Sequence, residues 1–265
     1  RLYRFQHEHG APVEWWTIDQ AIDLEPLLSP RLPAAVWSPD DHQVDNRQLV
    51  VALAMAVREA GVEVIEEAAV TAIEPNEARP RLRLSDGRQL EARVVVLAAG
   101  AWSAEIDGLV PAPPVRPVKG QALSLRMTDA LALHHVVRGP DAYLVPKADG
   151  RLVVGATSEE MGIDVRVTGG GLYRVLEGAV EVVPAVEEME VIEMWAGLRP
   201  ASRDHAPLIG VSAYPRVVAA TGHYRHGILL APVTADLAAD AVEGLLGGRD
   251  ETAALRQPFS PRRFD

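Results

Sequence analysis

Residues 221–248, TGHYRHGILLAPVTADLAADAVEGLLGG, decide how the rest of the chain reads. An apolar run at 217–220 leads in, a glycine-punctuated polar turn follows, and then Leu229, Val233, Leu237, Ala241 and Leu245 recur every four residues. That pattern predicts a strand, a turn and a helix. Pro232 is expected in the first helical turn, where its missing N–H costs little, with Gly247 and Gly248 as the stop. The turn 222–227 then lies at a helix N-terminus, whose free amides and positive dipole end favour an anion.

Composition narrows what surrounds this unit. The 265 residues are 48% hydrophobic, enough to bury a sizeable core as one large domain or two interleaved ones. A net charge of -11 argues against nucleic acid or an anionic membrane as partner, so an anionic ligand must be drawn by a local arginine. The absence of cysteine excludes disulfides and thiolate metal sites and fits a reducing cytoplasm. The longest apolar run, 94–102, is too short to span a bilayer, and the start Arg1-Leu2-Tyr3 has no signal-peptide pattern. The histidines, His134-His135, His205, His223 and His226 among them, show no metal-ligand spacing and read as turn and surface residues.

Upstream, prolines break residues 1–43 into short pieces, with 13–18 expected as a strand. Asp45 and Gln48 suggest a capping box for a helix with Leu49, Val50, Leu53 and Val57 on one face, ended by Gly61. Segments 62–65, 69–73, 81–84 and 89–93 read as short strands, and 94–100 as a parallel strand buried on both faces. After prolines at 111, 113, 114 and 117 the pattern turns to alternation. Strands are expected at 118–127, 134–138, 143–146, 151–155 and 187–195 in an antiparallel sheet, covered by a helix at about 170–183.

Four phrases carry a resemblance: PVRPVKGQALSL (114–125), YLVPKADGRLVVGATSEEMGID (143–164), MWAGLRPASRDHAPLIG (194–210) and ATGHYRHGILLAP (220–232). In this order they resemble the D-amino-acid oxidase superfamily of FAD-dependent amine oxidases, most closely its bacterial glycine oxidase branch linked to thiamine biosynthesis. The resemblance implies an α/β fold, α+β overall, in which a partial Rossmann-like FAD-binding domain (44–113 and 199–265) interleaves with an antiparallel-sheet substrate domain (1–43 and 114–198). The family's opening GxGxxG turn, which holds the FAD pyrophosphate, has no counterpart; Gly169-Gly170-Gly171 lies in another context. The chain is therefore expected to correspond to the family's C-terminal two-thirds.

The resemblance also implies roles. Arg199 would fix a substrate carboxylate through two charge-assisted hydrogen bonds. Tyr143 would line the substrate pocket, and Arg225 would lie near substrate and flavin. His223, Tyr224, Arg225, His226, Gly227, Ile228 and Leu229 would wrap the pyrimidine end of non-covalently bound FAD, where helix-start amides stabilise reduced flavin. The Val70 backbone would meet the adenine part. Lys119 reads as a solvated strand lysine, and Ser158 as a candidate for setting pocket size. No residue presents itself as a general base and none as a metal ligand.

The implied reaction is oxidation of glycine or a small amino acid or amine, with hydride passing from Cα to flavin N5 and molecular oxygen becoming peroxide. A sarcosine-type oxidase, a D-amino-acid dehydrogenase, or an inactive fragment unable to hold FAD stay open as alternatives, and so does assembly as a homo-oligomer.

Overall fold

A computed structural model describes residues 1–265. In chain order the helices are α1 (Leu2–Glu8), α2 (Ile18–Leu24), α3 (Asn46–Glu59), α4 (Gly169–Val182), α5 (Gly227–Leu245) and α6 (Ala253–Arg256). The strands are β1 (Glu14–Trp16), β2 (Ala35–Trp37), β3 (Val70–Glu74), β4 (Arg81–Leu84), β5 (Gln89–Glu91), β6 (Val95–Leu97), β7 (Val115–Arg126), β8 (Val137–Arg138), β9 (Tyr143–Pro146), β10 (Arg151–Gly155), β11 (Val191–Ser202), β12 (Leu208–Val211) and β13 (Val217–Thr221). The chain divides into two compact units. Unit 1 comprises Arg1–Val51, Lys119–Glu159 and Asp164–Gly197; unit 2 comprises Ala52–Val118, Glu160–Ile163 and Leu198–Asp265.

Unit 1 is built on a sheet of order β11-β7-β10-β9-β8, in which β7, β10, β9 and β8 pair antiparallel. Alternation along the strands gives the sheet two faces. Leu123, Leu125, Leu144, Leu152 and Val154 pack against Val175, Ala179 and Val182 of α4, each side chain burial worth about 1.5–3 kcal/mol for the larger residues. The β9–β10 turn is closed by Gly150, whose amide donates to the Lys147 carbonyl at 3.1 Å and whose φ of +85° suits glycine. The strand expected at 13–18 is cut to Glu14–Trp16. Thr17 and Gln20 exchange the two hydrogen bonds of a capping box, so the chain turns into α2 there.

The polar end of the same sheet holds a partly buried network. Gln121 donates to the Glu159 carboxylate at 2.8 Å and accepts from the Thr168 amide at 2.7 Å; Thr157 donates to Glu159; and the Thr168 hydroxyl caps α4 by accepting from the Gly171 amide at 3.1 Å. Burial raises the Glu159 pKa, but the hydrogen bonds from Thr157 and Gln121 outweigh it and hold the carboxyl below its ordinary value. Lys119 corrects the expectation of a solvated lysine. It is 1% exposed and paired with Asp164 at 3.4 Å, because a charge on this inward strand position is tolerated only beside a carboxylate.

Unit 2 contains the antiparallel meander β3-β4-β5 and a sheet of order β12-β13-β6, with β13 parallel to β6 and antiparallel to β12. Ala238 and Ala241 of α5 close on Val218 of β13. Several local expectations change here. Residues 62–65 form no strand, and Val62, Val64 and Ile65 are exposed. The run 94–100 yields only β6, pairing parallel as expected but with Val96 45% exposed, before Gly100 (φ +55°) opens a 3-10 turn. In α3, which begins in unit 1 and ends in unit 2, Asp45 does cap, accepting from the Arg47 and Gln48 amides at 3.0 and 3.2 Å, yet no residue of the helix is buried. No helix is long and apolar enough to cross a membrane.

Candidate functional site

In unit 2 the strand, turn and helix read at 217–248 are present, with their details shifted. α5 begins at Gly227, so Pro232 lies at its sixth residue, inside the helix and past the first turn. Its ring leaves the Ile228 carbonyl without the usual helical donor. Leu237 and Ala241 are buried as the apolar spacing requires, but Leu229 is 77% exposed and Val233 is exposed as well. The helix closes as expected: Gly247 has φ +92°, and the Gly248 amide donates to the Glu243 carbonyl at 2.9 Å.

The turn itself is pinned from two sides. Thr221 shares a hydrogen bond with Ser103 at 2.9 Å at the end of β13. Gly222 then takes φ +77°, His223 bridges to Ala201, and the Tyr224 amide donates to the Pro200 carbonyl at 2.7 Å. The turn is thereby tied to the residues that directly follow Arg199 in β11, where Arg199 is half-buried. The His223 imidazole meets Thr234 of α5 at 2.9 Å, and burial pushes its pKa down; it is not the surface histidine the sequence suggested.

Positive charge collects where the turn enters α5. His226 occupies the cap position without a side-chain hydrogen bond to the first turn, and that turn holds no acidic residue. Arg225 is exposed, its guanidinium carbon 5.0 Å from the Tyr224 ring centroid, and it makes no ion pair. A cation beside an uncapped helix N-terminus is unfavourable on its own and is offset by an anion. Ile228, Leu229 and Val233 leave an apolar surface beside those amides.

Tyr143 belongs to unit 1, where it opens β9 opposite Gly155. Its ring lies over that glycine so closely that a Cβ there would come within 2.5 Å of the phenol oxygen. Val70 opens β3 at an irregularity in its pairing with β4 and packs half-buried against the cluster of Ile73 and Leu97. Ser158 is exposed.

His205 is the exposed turn histidine the sequence suggested, but its contacts, and Arg116 altogether, escaped the sequence reading. Arg116 donates to the Ser202 carbonyl at 2.9 Å, to Glu160 at 3.2 Å and to His205 Nε2 at 3.3 Å. The His205 ring stacks on Tyr224 at 4.3 Å between centroids. The available signal was Asp204-His205, a pair of residue types that tolerate left-handed backbone in a turn.

Comparison with known proteins places these features in a wider group. Residues 1–241 match the family model described as DAO, FAD dependent oxidoreductase. The chain is 39% identical to the bifunctional protein ThiO/ThiG of Synechocystis sp. over 268 residues, covering 99% of this chain and 40% of that protein. It is 38% identical to the glycine oxidase of Geobacillus kaustophilus over 266 residues, covering 99% of this chain and 69% of that one. The crystal structure of the Geobacillus kaustophilus enzyme superposes with a TM-score of 0.90 over 99% of this chain and 70% of its own.

Proposed function

The chain belongs to the FAD dependent oxidoreductase family, and we propose that the protein oxidatively deaminates glycine or another small amino acid or amine. From an amino acid, with water and dioxygen consumed, the products are the α-keto acid, glyoxylate in the case of glycine, with ammonia and hydrogen peroxide. The observation that carries this reading is the unneutralised positive end at 225–227, tied by hydrogen bond to the strand of Arg199.

The residues present fit the ring end of FAD. Uncapped amides suit an anionic heterocycle edge, and exposed Ile228 and Leu229 suit its flat apolar body. In this proposal His223, Tyr224, Arg225, His226, Gly227, Ile228 and Leu229 hold that end, and the Val70 backbone meets the adenine part. When bound, FAD supplies the hydride acceptor, and dioxygen takes up the electrons as peroxide. Arg199 takes the substrate carboxylate in a bidentate pair, with Arg225 adding to its hold, and the resemblance makes Tyr143 a further substrate-binding residue. Fixing the carboxylate restricts the amino acid to rotation about one axis, so the protein's contribution is alignment of Cα. No residue is assigned as general base; the substrate enters as the free amine.

The relatives named glycine oxidase support the substrate class. The test has two readouts. Purified protein reconstituted with FAD is expected to retain a flavin absorption band through gel filtration, and to release peroxide faster with glycine than with sarcosine or D-alanine. Absence of the band overturns the cofactor assignment, and equal silence toward all three amines overturns the substrate class.

A further inference from the structure

Four non-glycine residues have left-handed backbone, and two of them, His205 (φ +64°) and Tyr224 (φ +51°), are the pair whose rings stack. Such conformations are costly outside glycine and persist only where the surroundings enforce them. Here the surroundings are explicit. The turn that presents His205 is fastened below by Asp204, whose carboxylate takes two hydrogen bonds from Arg263, at 2.7 and 2.9 Å, and one from the Ala206 amide at 3.0 Å. Ser202 adds bonds to Asp204 at 3.0 Å and to the Ala206 carbonyl at 2.6 Å. The Arg263 guanidinium holds the Asp204 carboxyl well below the usual carboxylate range.

From this turn the His205 ring projects against Tyr224, interplanar angle 23°, and Arg116 donates to its Nε2 at 3.3 Å. Tyr224 in turn carries the Arg225 guanidinium over its ring at 5.0 Å. The order Arg263, Asp204, His205, Tyr224, Arg225 thus runs from a fastened turn to an exposed cation without an ion pair.

We propose that His205 is a positioning residue: its ring orients Tyr224, and through Tyr224 it holds Arg225 ready for a carboxylate. This rests on the assignment of Arg225 to the substrate's carboxylate. A merely structural histidine at φ +64° would be replaced by glycine at no cost, since glycine adopts that backbone freely. A positioning histidine would not.

The experiment uses the full chain labelled with 15N-arginine. Arg225→Lys identifies the Arg225 Nε–H resonance, and its dynamics are compared in wild type, His205→Gly and His205→Phe. Glycolate, a carboxylate that lacks the amine, is titrated in parallel. The expected result is an ordered Arg225 Nε–H in wild type and His205→Phe, and a mobile one in His205→Gly, whose melting temperature is equal or higher. Glycolate should bind His205→Gly about fivefold more weakly, the scale of one exposed ion pair. An Arg225 signal equally ordered in wild type and His205→Gly overturns the proposal, as does loss of order in folded His205→Phe. If wild type binds no glycolate, the carboxylate assignment fails, and the Arg225 dynamics still decide the role of His205.

Discussion

The amide of Tyr224 donates to the carbonyl of Pro200 at 2.7 Å. One hydrogen bond therefore joins the turn that carries Arg225 to the strand end that carries Arg199, two cations separated by 26 positions in the chain. Strand β11 has no reason of its own to end beside a helix N-terminus; the bond, with the bridge between His223 and Ala201, fixes it there.

Arg199 is expected to govern substrate affinity. Each charge-assisted hydrogen bond contributes about 1.5–3 kcal/mol, so Arg199→Ala should raise KM for glycine about 100-fold or more while changing kcat less. Arg199→Lys keeps the charge and loses the fork, and should lie between. Initial rates of peroxide release in the FAD-loaded enzyme check this; an unchanged KM in Arg199→Ala would remove the residue from the site.

Gly155 is expected to matter for Tyr143 more than for folding. A Cβ at 155 would meet the Tyr143 oxygen at 2.5 Å and Cζ at 2.6 Å, and the ring, 36% exposed, has room to swing outward. Gly155→Ala should then cost about 1 kcal/mol or less in urea unfolding and raise KM for glycine. A tyrosine that only packs on the strand predicts the stability change without the kinetic one.

Gly171 and Gly170 should respond in opposite directions. A Cβ at 171 would fall 2.2 Å from Gln121 Nε2, whereas at 170 the only neighbour is the flexible end of Arg174 at 3.8 Å. Gly171→Ala displaces Gln121 from Glu159 and Thr168, and is expected to cost about 2 kcal/mol, or roughly 5 °C in melting temperature. Gly170→Ala should be neutral or stabilising by up to about 1 kcal/mol. Calorimetry of the two variants separates the outcomes.

His223 should make stability depend on pH. Burial lowers its pKa in the folded state, so the unfolded chain binds the proton more readily. The stabilising contribution is fully present above the unfolded value near 6.5 and is lost as pH falls below it toward the folded value, at no more than about 1.4 kcal/mol per pH unit. His223→Gln keeps a partner for Thr234 and does not titrate. Urea midpoints at pH 7.5 and 5.5 should diverge more for wild type than for this variant.

The sequence made the architecture legible where a pattern reports the element directly: the antiparallel strands β7, β9 and β10, the capping oxygen of Asp45 and the glycine stop after α5 all appear. It misled where apolar character does not mean burial. Val96, Leu229 and the apolar residues of α3 are as hydrophobic as core residues and are exposed. Lys119 and His223 erred the other way, since their partners Asp164 and Thr234 lie 45 and 11 residues away and no local spacing announces them. For the site, the phrases around Arg199 and 220–232 mark two segments that the fold joins by a backbone hydrogen bond, while His205 acts through a stacked ring that depends on two unusual backbone angles.

Thr168 gives one hydroxyl two duties, capping α4 through Gly171 and bonding Gln121 of the interior strand β7. A helix normally frays from its ends with little consequence for its neighbours. Here the first turn of α4 cannot open without stripping Thr168 from the carboxamide of Gln121, which is fully buried within the sheet. Amide protons at the start of this helix should therefore exchange with solvent only as the sheet itself opens, making its glycine-rich end one of the slower-exchanging parts of the helix.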